Sequence, residues 1–292
     1  MIRCEVLTDG IRFGEGPVWC GSDLLVVTSV TDGALYRLDV GTGLVDLFAD
    51  VGGGANGAAL AADGSIVVTQ NGGIDFSQMG LFADPPPFRT ATPGLQVADP
   101  DGSVVYLADQ GFRAPNDLVV AADGRIFFTD PGHHPPPEPP VGRVMVVERD
   151  GSIGLMAGDF EFCNGIAFDP DGELVVIERR GLLRVREDGT KEWIIEDLGT
   201  GGGDGFCLDV DGRYYVASTV EHGVRVVDPD GTIVDFLPID GNGLTTNCCF
   251  GGDDLRTLFA TDAIPGRVVA WEGLPTPGLP LTPWPGSEDV AR

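Results

Sequence analysis

Six side chains with oxygen donors stand at one repeated place in this sequence. Asn56, Asn116, Asn164 and Asp204 each lie seven residues before the aspartate of a DG turn, in "AADGSIVVT", "AADGRIFFTD", "DPDGELVVIE" and "DVDGRYYVAS". The same step back from Asp254 reaches Asn247, and Glu15, in "FGEGPVW", lies eight before Asp23. Two carboxylates and four carboxamides, with no His or Cys among them, make a donor set for a hard cation. Held close together without a cation, the carboxylates would repel or retain a proton. A divalent ion is therefore expected, Ca²⁺ first, with Mg²⁺, Mn²⁺ or Zn²⁺ after it. The chemistry available to such a site is Lewis-acid polarisation of a carbonyl, with a neighbouring carboxylate taking a proton from water. Any one Asn or Asp before Gly is an ordinary turn former. Six in step, one of them a Glu, are not explained that way.

The elements that would bring these residues together follow from the turns. Asp-Gly between two apolar runs is a strong hairpin signal, because the turn needs positive φ. The six anchors are separated by 41, 60, 48, 40 and 43 residues. Dividing 292 residues by six gives about 49 per unit, the size of a four-stranded propeller blade. Each unit reads as anchor, strand, DG turn, strand, loop, strand, turn, strand. The sixth runs instead into the proline-rich "LPTPGLPLTPWPG", and the spare strand is "IRCEVLT" at residues 2–8. The expected fold is all-β: one six-bladed β-propeller over residues 1–292, its last blade closed by the N-terminal strand, with a proline-rich tail at 279–292. Closure removes exposed strand edges. Each inner strand starts at its anchor, so all six anchors share one face around the channel mouth. The loops between second and third strands return to that face.

Composition narrows the partners. The net charge is −27, a poor match to nucleic acid or anionic membrane, both of which require a positive footprint. No apolar run approaches membrane-spanning length, and "MIRCEVLTDG" lacks the apolar segment of a signal peptide. The six cysteines show no paired metal spacing and read as reduced thiols of a cytoplasmic protein that takes a small-molecule substrate. Cys248 and Cys249 have no His placed beside them to activate a thiol nucleophile.

Other groups compete for roles at the same face. A carboxylate that ligates a cation loses basicity, so Asp130 and His133 are alternatives to Asp204 as the base. Asp117 follows an anchor and is expected to point away into a turn. The long insertion of unit two, residues 71–90, and the loop at 131–142 with His133 and His134 are expected to wall a pocket. Arg113, Arg179 and His222 join His133 as candidate substrate contacts, and Glu178, Arg180 and Glu221 lie on the same loops.

"GEGPVW" at 14–19, "PND" at 115–117 with "GRIFFTDPG" at 124–132, "CNGIAF" at 163–168, "GDGFCLD" at 203–209 and "TTNCCFGG" at 245–252 resemble the motifs of the senescence marker protein (regucalcin) and gluconolactonase family. That family also includes diisopropylfluorophosphatase-like enzymes. The resemblance covers nearly the whole chain. It implies a six-bladed propeller with one divalent cation at the channel mouth, and a metal-dependent hydrolase that opens a lactone ring by water attack on a polarised carbonyl. It implies Glu15, Asn164 and Asp204 as metal ligands, Asn116 as a fourth ligand or a substrate contact, and Asp204 as base or nucleophile. Asn56 and Asn247 inherit no firm role. Sugar-lactonase members carry Arg two residues before the middle Asn; here that position is Ala114, with Arg113 next to it, a departure that counts against aldonolactone preference. The rival expectations are an organophosphate-type hydrolase or other carbonyl chemistry at the same site, and a non-enzymatic calcium-binding propeller.

Overall fold

The computed structural model describes residues 2–132 and 138–286. Their strands form six four-stranded antiparallel sheets, arranged as the blades of a propeller. Five blades are built from consecutive strands. Blade four is typical: Cys163–Phe168, Leu174–Glu178, Gly181–Val185 and Lys191–Ile195, in that order from the axis outward. The sixth takes three strands from the end of the chain (Leu244–Gly251, Thr257–Ile264, Arg267–Trp271) and its outer strand, Cys4–Asp9, from the start. Cys4 faces Trp271 and Asp9 faces Arg267, so the N-terminal strand closes the ring as its spare apolar run requires. Among the described residues the one named helical element is a 3-10 turn at Phe76–Gln78 in the blade-two insertion.

The apolar core is not central. It is divided into clusters between neighbouring blades. Val119, Phe127 and Val144 of blade three meet Ile166, Val176 and Leu183 of blade four, and Leu25, Val27 and Leu38 of blade one meet Cys249, Phe259 and Val268 of blade six. The middle strands are buried on both sides and read as continuous apolar runs such as "LVVIE" and "YYVAS".

Near the axis, polar residues take over from packing. The threonine near the end of the second strand reaches into the next blade. Thr28 Oγ1 donates to Asn56 O at 2.5 Å, Thr129 Oγ1 to Asn164 O at 2.7 Å, and Thr69 Oγ1 to Asn116 O. In blade six the donor is Thr246 of the inner strand, to Gly14 O at 2.7 Å, with the second-strand Thr261 hydroxyl 3.0 Å from it, while Ile177 and Ala217 occupy the threonine place in blades four and five. Each of these bonds fixes the main chain at or beside the next anchor. Glycine makes the close approach practicable: a Cβ at Gly165 would collide with the Asp204 carbonyl, and one at Gly205 with the Asn247 side chain. Thr129→Val keeps the shape but removes the donor to Asn164. It should cost about 1–3 kcal/mol, the scale of stranding a buried carbonyl, read as a lowered urea midpoint; an unchanged midpoint would show that these links are incidental.

The next residue along, at the end of the same strand, holds the segment that leads into the anchor. Gln70 Oε1 accepts from Gly54 N (2.7 Å), Asp130 from Arg113 N and Ala114 N (3.1 and 2.8 Å to Oδ1), and Glu178 from Glu161 N and Phe162 N (2.9 and 3.2 Å). Asp130 is wholly buried and also takes the Arg143 guanidinium, at 2.6 Å.

Candidate metal centre at the channel mouth

Local geometry at the anchors departs from a plain strand. In blades one, two and four the inner strand carries a bulge at the anchor: register shifts occur between Glu15 and Val18, Ala55 and Ala58, and Cys163 and Ile166. In blades three and five the inner strand starts two residues after the anchor, at Leu118 and Phe206. A bulge or a pre-strand turn re-aims side chains that strict alternation would send to opposite faces.

The result is an acidic centre of three carboxylates, one more than expected. Glu15 is buried, and its carboxyl is held well above the usual range by that burial, then by the charges of Asp204 and Asp117; Asn247 and the Gly16 N–H act in the opposite sense. Asp204, half-buried at the mouth, is pushed up to about 7 by desolvation and by Asp117, against the Asn164 and Thr219 side chains that donate toward it. Asp117 rises to about 6 through burial, although Asn247 Nδ2 donates to its Oδ2 at 3.1 Å and its own neighbour's Leu118 N–H lies 3.3 Å from Oδ1. The expectation that Asp117 points away is corrected: it faces the same centre as Glu15 and Asp204. Its signal was the absence of glycine. Four anchors are followed by Gly (Gly16, Gly57, Gly165, Gly205), whereas Asn116 is followed by Asp117. Thr219, just beyond the strand Tyr214–Ser218, had no signal in the pattern of anchors.

These residues suit a cation. Among the described residues no ion pair reaches Glu15, Asp117 or Asp204. Asn56 Oδ1 is buried without a hydrogen-bond partner, an acceptor oxygen left for something positive. Among the described residues no three His, Cys, Asp or Glu side chains converge as a ready-made metal cluster, so carboxamide oxygens would complete any ligand set.

With no cation bound, the elevated carboxyls make stability pH-dependent. The folded state retains protons that the unfolded chain has released, so the contribution of these groups is full near pH 4 and is lost as pH rises through about 6 and 7, where Asp117 and Asp204 ionise. The melting temperature of chelator-treated protein should drop between pH 5 and pH 8, and millimolar CaCl₂ should flatten that slope. A flat profile without metal would contradict the burial of this acidic centre.

The remaining sequence candidates divide. Asn116 and Asn164 are half-buried at the mouth. Asp130, a candidate base, instead has its carboxylate committed to Arg143 and to the segment before Asn116. Arg113 is exposed and donates to Val141 O at 2.7 Å. Arg179 is exposed and pairs with Glu161. His222, a candidate substrate contact, is buried; its Nε2 lies 3.0 Å from Asp262 and its Nδ1 3.2 Å from Gly241 O, so it locks a loop. His133 lies outside the described residues. The blade-two insertion does reach this face: Phe76 is buried with its ring centroid 4.7 Å from that of Phe13, two residues before Glu15, and Phe82 packs edge-on against Phe76.

Residues 13–264 match the model of the SMP-30/Gluconolactonase/LRE-like region, and this span contains all six anchors. The chain belongs to the SMP-30/gluconolactonase/LRE-like family. It is 38% identical to regucalcin of Xenopus laevis, over 93% of this chain and 89% of that protein. It is 24% identical to a gluconolactonase of Zymomonas mobilis, over 87% of this chain and 77% of the relative. The structure of a calcium-binding regucalcin from Agrobacterium tumefaciens superposes with a TM-score of 0.78 at 20% identity, covering 97% of each chain, and so shares the fold. Family membership agrees with the six blades. Among the described residues no helix is long and apolar enough to cross a membrane.

Proposed function

We propose that this protein is a divalent-metal-dependent hydrolase that opens a small lactone at the channel mouth. The observation that carries this reading is the grouping of Glu15, Asp117 and Asp204 about one centre, the first two buried and Asp204 half-buried, with no cationic side chain paired to them among the described residues. The names of the relatives, gluconolactonase among them, support the substrate class. Glu15, Asn164, Asp204 and Asn116 would hold the cation, with Ca²⁺ ahead of Mg²⁺, Mn²⁺ and Zn²⁺ for an all-oxygen set. When bound, the cation supplies Lewis acidity toward a carbonyl oxygen and lowers the cost of the charge that develops there.

The protein's own groups do the rest. Asp204 accepts a proton from the attacking water, with Asn164 and Thr219 fixing its orientation. Glu15 is held by Asn247 and the Gly16 N–H. Asn116, set by its own main-chain bonds to Thr129 O and from Gly57 N (both 2.8 Å), orients the ring ester. Phe13, Phe76 and Phe82 form an apolar wall over one side of the mouth.

The test is a panel of five- and six-membered lactones assayed before and after chelation, with elemental analysis of the purified protein. The expected result is one divalent ion per chain, turnover lost with a chelator and regained on adding the ion back. Turnover untouched by chelation would overturn metal dependence. A retained ion with no lactone or phosphotriester turnover would favour a cation-binding propeller without hydrolytic activity.

A further inference from the structure

Below the acidic centre the channel opens into a cavity of about 330 Å³. Its walls are the lower halves of the inner strands, with Leu60, Val119, Ile166, Phe168, Phe206 and Phe250 among the lining residues. Its polar side chains lie mainly at the upper end, where Asp117 and Asn247 border it. This is the composition of a small-molecule site, apolar walls with a few placed polar groups, and the volume falls within the range of such sites.

The floor is the proline-rich tail. Leu279 N donates to Leu208 O of blade five at 2.8 Å, and Trp284 N donates to Leu60 O of blade two at 2.9 Å. Blades five and two stand opposite each other in a ring of six, so residues 279–284 cross the full width of the channel. Trp284 is buried among Ala61, Val120 and Ile126 and fixes the far end. The middle of the crossing, Pro280–Pro283, includes two residues without an N–H, and Leu281 there is exposed. A segment pinned at both ends and unladdered in the middle can part from the strands without unfolding a blade.

We propose that the lower channel is a second ligand site, below the lactone site and sharing only the Asp117–Asn247 boundary with it, for a small apolar molecule carrying one neutral or cationic hydrogen-bond donor, admitted past residues 280–283. The donor head would meet Asp117 and the Asn247 carboxamide, and the apolar body would fill the walls. An anionic head would lie beneath three carboxylates in a protein of net charge −27, and is disfavoured.

The test uses 2-naphthylmethanol as probe and 2-naphthoate as its anionic counterpart, followed by isothermal titration and naphthalene fluorescence on the full chain. The expected result is saturable binding of one naphthylmethanol per chain, with naphthoate weaker by about tenfold or more. Ala59→Phe, at a half-buried lining position, should abolish binding with the lactone kcat unchanged. Leu281→Trp, at an exposed position that cannot disturb the core, should slow association by a factor large enough to read in stopped flow. No binding of either probe would mean the channel holds only solvent, and would overturn the proposal. Equal binding of the two probes would overturn the donor-head assignment, and binding that survives Ala59→Phe would place the ligand elsewhere. The binding and association readouts require no lactone turnover, so failure of the hydrolase reading leaves them interpretable.

Discussion

Asp204→Asn should lower lactone turnover by about 10²–10⁴-fold, the contribution of a positioned general base, while the protein remains folded. The substitution keeps an oxygen donor in place but removes the group that takes the proton. It also removes one of three neighbouring negative charges that repel one another. Metal-free Asp204→Asn should therefore melt at or above the metal-free parent at pH 8, whereas a merely structural defect would lower the melting point. Cation affinity should weaken as well, because one formal charge is lost from the ligand set, so the assay must be run at saturating Ca²⁺. Wild-type turnover in this variant would remove Asp204 from the proton-transfer step. Glu15→Gln, assayed beside it, separates holding the ion from moving the proton: its loss of turnover should recover with added cation, and that of Asp204→Asn should not.

The second large effect is on stability, and it concerns Asp130. This carboxylate is completely buried and receives Arg143 Nε at 2.8 Å together with the main-chain N–H groups of Arg113 and Ala114. Arg143→Met leaves it charged and without its counterion. The expected cost is about 3–5 kcal/mol, typical of breaking a buried ion pair from one side, measured as the shift in a urea unfolding curve. Adding Asp130→Asn to Arg143→Met should return part of that loss, since the stranded charge is then gone. A single variant within about 0.5 kcal/mol of the parent, the scale of an ordinary surface substitution, would show that the pair is not what secures the loop before Asn116. The same experiment separates the two readings of Asp130. A base at the reacting centre would affect kcat at fixed stability, whereas a group that holds the loop affects stability first.

Several of these residues were legible one by one, and others were not. The anchors were legible because the distance from the start of an inner strand to its DG turn is set by strand length, which the blade repeat holds nearly constant. Closure by residues 2–8 was legible because a ring of six blades with twenty-three strands in its body leaves one place for a spare apolar run. The orientation of Asp117 was not legible from its place after an anchor. In blade three the strand begins only at Leu118, so the parity of Asp117 is set by a turn. His222 and Asp130 were read as site residues because they stand on the correct face. Facing a site and being free to act in it are different properties: both are already engaged, His222 by Asp262 and Asp130 by Arg143, from partners 40 and 13 residues away in sequence.

The tail shows the same division. Its prolines announced that no fourth strand would follow, but not that the chain would turn under the channel and anchor Trp284 in blade two. What the sequence determined alone was periodic: six blades, and one face for six oxygen-bearing side chains. These depend on local turn and strand geometry repeated along the chain. What the tertiary structure decided was which oxygens are desolvated together, which are neutralised by an arginine, and where an apolar void remains. Those depend on the ring closing, which brings side chains more than a hundred residues apart, such as Asp117 and Asn247, within hydrogen-bonding distance, where water no longer screens one charge from another.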